Sequence, residues 1–140
     1  MDERVTKIVN EFKSYSHWEE RYKHLISLGK SLNAMNESDK SEVNKIKGCQ
    51  SQVWLSASLS GDKVTFSADS DASIVKGIVA LLLHVYSERT PDEILAISQD
   101  FIDEIGLRQH LSMSRANGLS SMLKQITFYG MAFKAKLTSE

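Results

Sequence analysis

The sequence predicts an α+β fold, a small antiparallel sheet of about three strands packed against several helices, and three observations predict it. The first and last portions carry apolar residues at helical spacing. Two alternating runs flank Ser60-Gly61-Asp62 in the middle. An almost uninterrupted apolar stretch, Ile74 to Tyr86, follows them. Helices, then strands, then helices is the order of an α+β chain rather than of a doubly wound parallel sheet.

Each element has its own warrant. Residues 1–14 place Val5, Ile8, Val9 and Phe12 on one face, which predicts an amphipathic first helix. Ser16-His17-Trp18-Glu19 has capping-box spacing. It should start a second helix with Trp18, Tyr22, Leu25 and Ile26 inward and Gly29 at its end or in the turn after it. Residues 31–41 are polar and read as loop, and 44–46 as a short extended piece. Val53, Leu55, Ala57 and Leu59 alternate with Trp54, Ser56 and Ser58, and Val64, Phe66 and Ala68 alternate again. Ser60-Gly61-Asp62 is turn chemistry, so the two runs should form a hairpin. Residues 74–86 are apolar nearly all round and predict a buried central helix with His84 as a core histidine. Thr90-Pro91-Asp92-Glu93 combines a cap, a proline at the first helical position and a returning acid. Another helical turn is expected over 101–106, and a last long helix over 115–136 with Leu119, Met122, Leu123 and Ile126 inward.

No repeat or interdomain linker interrupts the 140 residues, and at 41% hydrophobic they read as one domain, 1–140, with its own core. A net charge of −1 gives no electrostatic case for nucleic-acid binding. The opening residues do not read as a signal peptide, and the longest apolar run is far shorter than the roughly 20 residues that span a bilayer. No membrane association and a cytoplasmic, reducing location are expected.

Cys49 is the only cysteine. It can close no internal disulfide and build no multi-thiolate zinc site, so it is either a passive buried thiol or a single reactive one. Its setting, Ile46-Lys47-Gly48-Cys49-Gln50-Ser51-Gln52-Val53-Trp54, puts it on a loop at the entrance to a strand. Gly48 allows the loop to bend and a partner to come close. Lys45 and Lys47 add positive charge nearby, which favours a thiolate if the side chains point that way.

The stretch Asn44 to Trp54 resembles the signature of the SufE-type sulfur acceptors. Two further blocks resemble the same family in order and spacing. Asp69-Ser70-Asp71-Ala72-Ser73-Ile74-Val75-Lys76-Gly77 opens the central helix, and Gln109-His110-Leu111-Ser112-Met113-Ser114-Arg115-Ala116-Asn117-Gly118-Leu119 opens the last. The resemblance implies a SufE/IscU-like fold and a covalent sulfur carrier rather than a stand-alone enzyme. In it, Cys49 takes persulfide sulfur from a cysteine desulfurase, SufS-like or CsdA-like, stimulates that enzyme, and passes the sulfur toward an iron–sulfur scaffold. Pyridoxal phosphate belongs to the desulfurase, so no cofactor is expected in this chain. No pair among His17, His24, His84 and His110 has close metal-ligand spacing, so no metal is expected either.

The same resemblance assigns supporting roles. Arg115 helps engage the desulfurase, although in isolation it reads as a solvated charge. Asp71, most simply a helix cap, lies beside the cysteine loop and restrains it. Gln52 and Ser51 either hydrogen-bond around the loop or simply enter the strand. His110 falls in the third block and could sit near Cys49. Two other functions stay open from sequence: a non-covalent desulfurase-binding adaptor, and a small cysteine hydrolase using Cys49 and His110, for which no third member or oxyanion-hole signal is visible. Where the family often has proline, this chain has Ser41-Glu42-Val43, and a more flexible lead-in loop is expected.

Overall fold

The computed structural model describes residues 2–139. Two helices, Glu3–Lys13 (α1) and Trp18–Lys30 (α2), precede a hairpin of Val53–Ser60 (β1) and Lys63–Ser70 (β2). Five helices follow: Ser73–Tyr86 (α3), Pro91–Ala96 (α4), Asp100–Ile105 (α5), Leu107–His110 (α6) and Met113–Thr138 (α7). The α+β class expected from the sequence is observed.

The sheet has two strands rather than three. The extended piece before the cysteine loop contributes a single bridge, Lys45 to Trp54, with the Ile46 amide donating to the Val53 carbonyl at 2.8 Å. Within the hairpin, Val53 pairs with Ser70, Leu55 with Ala68, Ala57 with Phe66 and Leu59 with Val64. Directly opposed residues share a face, so this register turns Val53, Leu55, Val64, Phe66, Ala68 and Ser70 toward the helices. The turn falls at Gly61-Asp62.

The core gathers around α3, whose Ile74, Val75, Ile78, Val79, Leu81, Leu82 and Val85 are all buried. Burial is not all round, however, and His84 is exposed rather than a core histidine. Its position carries it past the end of the apolar arc onto the outer face. Helix α2 crosses α3 at Gly29 and Gly77. A Cβ at Gly77 would stand 2.1 Å from the Leu25 carbonyl oxygen, and one at Gly29 would stand 2.8 Å from the Gly77 amide. Gly29 is therefore a contact residue within α2, and the helix continues to Lys30. The N-cap of α2 is His17 without a side-chain cap bond, so the capping box expected at Ser16 does not form. The one expected at Thr90 does: its hydroxyl accepts from the Glu93 amide, and Glu93 accepts from the Thr90 amide.

The last helix starts two residues before the expected boundary, with Ser112 accepting from the Arg115 amide as its N-cap. It buries Leu119, Met122, Leu123 and Ile126 on its inward face. The lead-in segment contains two short 3-10 turns, Glu37–Asp39 and Glu42–Asn44. It is tied to the hairpin by Lys40, which pairs with Asp69 at 2.8 Å and lies over the Trp54 ring. Burial alone would raise the Asp69 carboxyl, but Lys40, the Ser70 amide and Lys76 hold it below its ordinary value. Among the described residues no helix is long and apolar enough to cross a membrane.

Candidate functional site

The cysteine loop joins the Lys45–Trp54 bridge to the start of β1, and it is shaped at Gly48. That residue has φ +88°, the left-handed region that glycine adopts without strain. The turn drops Cys49 onto the first two turns of α7. Its thiol is half-buried in a cavity of about 60 Å³ lined by Gln50, Ser51, Val75, Ile78, Ser114, Arg115, Gly118 and Met122. Val75 and Ile78 of α3 and Met122 of α7 give it apolar walls, and Ser114 and Arg115 of the first turn of α7 also line it.

Burial pushes the Cys49 thiol up from its ordinary pKa. The nearby lysines do not counter this. The Lys45 ammonium is 3.8 Å from Glu42, and Lys47 is exposed. At neutral pH the resting side chain is a protonated thiol with low nucleophilicity. An anion at this place would meet a more favourable field, because Ser114 and Arg115 stand in the first turn of a long helix, at the positive end of its dipole. The Arg115 side chain is exposed, and among the described residues it makes no ion pair or hydrogen bond.

The far end of the loop is latched to the entry of α3. The Gln52 amide donates to Asp71 Oδ1 at 3.0 Å, the Asp71 amide donates back to the Gln52 carbonyl at 3.3 Å, and Ser70 Oγ donates to that carbonyl at 2.8 Å. Gln52 thus engages through its backbone, while its side chain is exposed. Ser114 Oγ donates to Gln50 Oε1 at 3.0 Å, a second tie from α7 to the loop.

The structure therefore brings Gly48, Cys49, Gln52, Asp71 and Arg115 into one region and leaves His110 out of it. The His110 ring stacks on Trp18 with centroids 4.5 Å apart, and its Nδ1 donates to the Gly106 carbonyl at 2.9 Å. Arg21 reinforces that corner by donating to the Ile105 carbonyl at 2.6 Å. Helix α6 ends at His110, and Leu111 and Ser112 separate it from α7, so the ring belongs to the α2–α5 corner. A Cys49–His110 dyad is not formed. Sequence reasoning missed Gly118, Ser114 and Met122 as cavity walls. The signal available was a serine and a glycine four residues apart in a segment otherwise suited to helix.

A protein-family model for SufE, described as an Fe–S metabolism associated domain, matches residues 6–129. The chain belongs to the SufE family. An uncharacterized SufE-like protein of Rhizobium meliloti is 43% identical over 127 residues, covering 87% of this chain and 91% of the relative. One from Synechocystis is 41% identical over 130 residues, covering 93% and 82%. The solution structure of a hypothetical protein from Thermus thermophilus superposes with a TM-score of 0.79 at 20% identity, covering 94% of this chain and 96% of that one, and so shares the fold. Family membership associates this chain with Fe–S metabolism. The three sequence blocks that carried the resemblance fall within the matched residues, and each contributes residues to the region around Cys49.

Proposed function

We propose that this protein is a sulfur acceptor and activator for a pyridoxal-phosphate cysteine desulfurase, with Cys49 as the covalent carrier. The observation that carries the reading is the placement of the single thiol. It sits on a glycine-hinged loop at the rim of a small cavity, against a helix N-terminus, with no general base among the residues lining that cavity. A hydrolase needs a base and a substrate cleft. A sulfur carrier needs only a thiolate, an approach path and a leaving thiolate, because its substrate arrives already activated as a persulfide.

The transfer is a thiol–disulfide-type exchange. The Cys49 thiolate attacks the outer sulfur of the partner's cysteine persulfide, a new S–S bond forms at Cys49, and the S–S bond between that sulfur and the partner's cysteine breaks. The partner cysteine leaves as a thiolate, and Cys49 becomes a persulfide. No external oxidant or reductant is consumed. Arg115 and the α7 N-terminus favour the anionic states at each end of this exchange. Met113, 82% exposed in the same turn, offers an apolar contact to the docked partner. Pyridoxal phosphate resides in the desulfurase, and the sulfur continues toward an iron–sulfur scaffold in a reducing, cytoplasmic setting. The exposed loop face would also suit a purely non-covalent adaptor, and a conservative substitution separates the two. Cys49→Ser keeps the loop and its shape, so it should fold normally and abolish stimulation of a cysteine desulfurase, measured as alanine released from cysteine. Full stimulation by Cys49→Ser would reject the carrier in favour of the adaptor.

A further inference from the structure

Two glycines interrupt α7, Gly118 and Gly130. Glycine is a poorer helix former than every residue but proline, so each position needs a reason. In both, another part of the molecule occupies the place of the missing side chain. At Gly130 the occupants are Ile94 and Leu95 of α4, 3.1 and 3.2 Å from where a Cβ would be, which is helix–helix packing. At Gly118 the three nearest atoms all belong to Cys49: Sγ at 3.0 Å, Cβ at 3.7 Å and Cα at 3.9 Å.

Gly118 is the middle of a face. Ser114, Gly118 and Ser121 lie at i, i+4 and i+7, one above another on the helix. Each meets one residue of the loop. Ser114 hydrogen-bonds Gln50, Gly118 receives Cys49, and Ser121 Oγ lies 3.1 Å from the place of a Cβ on Gly48. The three loop residues are consecutive, so α7 and the loop fit as two matched surfaces.

We infer that Gly118 is the positioning residue of the carrier thiol: its absent side chain is the seat of the Cys49 sulfur at rest, and the size of residue 118 sets how far the thiol is withdrawn. This rests on the reading of Cys49 as carrier and extends it to regulation of that site. Non-bonded heavy atoms settle at roughly 3.5–4.0 Å, so a methyl group at position 118 would displace a sulfur that lies 3.0 Å away. The loop is the part that yields, being hinged at Gly48 and exposed at Gln50, whereas α7 is fixed by Leu119 and Met122 in the core. A shift of a few tenths of an ångström loosens the sulfur from the apolar walls of Val75, Ile78 and Met122, which leaves the thiol less sheltered.

The test uses the full chain without a desulfurase. Gly118→Ala should raise the iodoacetamide alkylation rate of Cys49 at neutral pH by about three- to tenfold and shift the rate–pH midpoint down toward an ordinary thiol. The melting temperature should not fall. The same substitution in a Cys49→Ala background meets no sulfur, so the helix-forming gain should appear there as a larger rise in melting temperature than in the Cys49 protein. Unchanged alkylation in a folded Gly118→Ala protein, or equal melting shifts in both backgrounds, would overturn the inference. If Gly118→Ala unfolds the Cys49 protein, recovery in the Cys49→Ala background supports the seat, and unfolding in both overturns it by making Gly118 a packing residue of α7. A desulfurase assay fails separately: no sulfur on wild-type Cys49 would reject the carrier reading while leaving the alkylation result intact.

Discussion

The two ends of the hairpin are each held by an aspartate, in opposite ways. Near the turn, β2 bridges to Arg89, with the Val64 amide donating to the Arg89 carbonyl at 2.7 Å. Arg89 is only 4% exposed, and its guanidinium forms a two-pronged pair with Asp2 at 2.8 and 2.6 Å and donates to the Val85 carbonyl. Asp2 also caps α1. At the open end, Asp71 is exposed and its carboxylate accepts one hydrogen bond, from the Gln52 amide. The first is a charge-assisted clamp, with Arg89 buried and Asp2 partly exposed, joining α1, α3 and the hairpin. The second is one solvent-facing carboxylate bond beside two ties to the Gln52 carbonyl, in the loop that carries Cys49. On the carrier reading proposed above, a thiol that must be presented needs a rigid frame and a weak catch, and the two ends of the hairpin suit those roles.

The largest expected effect comes from breaking the clamp. Arg89→Met should destabilise the fold by about 2–4 kcal/mol in urea unfolding, because it removes a buried cation and leaves the Val85 carbonyl without that donor. The clamp also has a pH signature. The Arg89 hydrogen bond, helped by the Val5 and Arg4 amides and opposed by burial, lowers the Asp2 carboxyl from 3.8 to about 2. A depressed carboxyl stabilises the fold above its unfolded value and stops doing so as pH falls through its folded value. Stability on the order of 1 kcal/mol should therefore fade between about pH 4 and pH 2, discounted for the partial exposure of Asp2. Asp2→Asn should flatten that segment of the stability–pH curve, and an unchanged slope would show that the pair does not act as a clamp.

The latch should behave oppositely. Asp71→Arg should cost under ~1 kcal/mol in stability, yet speed hydrogen exchange across residues 45–52 and raise Cys49 alkylation several-fold. It should also tighten desulfurase binding, since less free energy is then needed to populate the presented loop. Unchanged exchange in a folded variant would remove Asp71 as a restraint. Arg115→Ala should have the smallest effect on the fold, within about 0.5 kcal/mol, because its side chain has no partner among the described residues. It should still weaken desulfurase binding in calorimetry. A large drop in melting temperature with normal binding would make Arg115 structural.

The sequence made the frame legible where a period or a cap is local. Alternation at Val53–Leu59 and Val64–Ala68, the Thr90–Glu93 box and the stripe on α1 all stand in the structure. It misled where a contact between elements decides. Gly29 does stand at the helix end, one residue before Lys30, but what requires glycine there is Gly77, on a different helix. His84 sits in an apolar run, but solvent reaches it because α3 turns that edge outward. Helix α6 is too short to show a period, and the expected third strand dwindles to one bridge at Lys45. At the site, Cys49, Asp71 and Arg115 were marked by motif, and the structure gathers them. His110 was marked by the same motif, and Trp18 draws it away. Gly118 lies within the segment 109–119 that opens the last helix, but a glycine in a helix says nothing of what fills its space until the loop is seen lying on it.

Whether Cys49 carries sulfur decides the rest. Intact-protein and peptide mass analysis after incubation with a cysteine desulfurase and free cysteine, under non-reducing conditions, tests that directly. The expected result is one added sulfur atom, located on the peptide containing Cys49, removed by a thiol reductant and absent from Cys49→Ser. Stimulated desulfurase turnover with Cys49 recovered unmodified would contradict the carrier role.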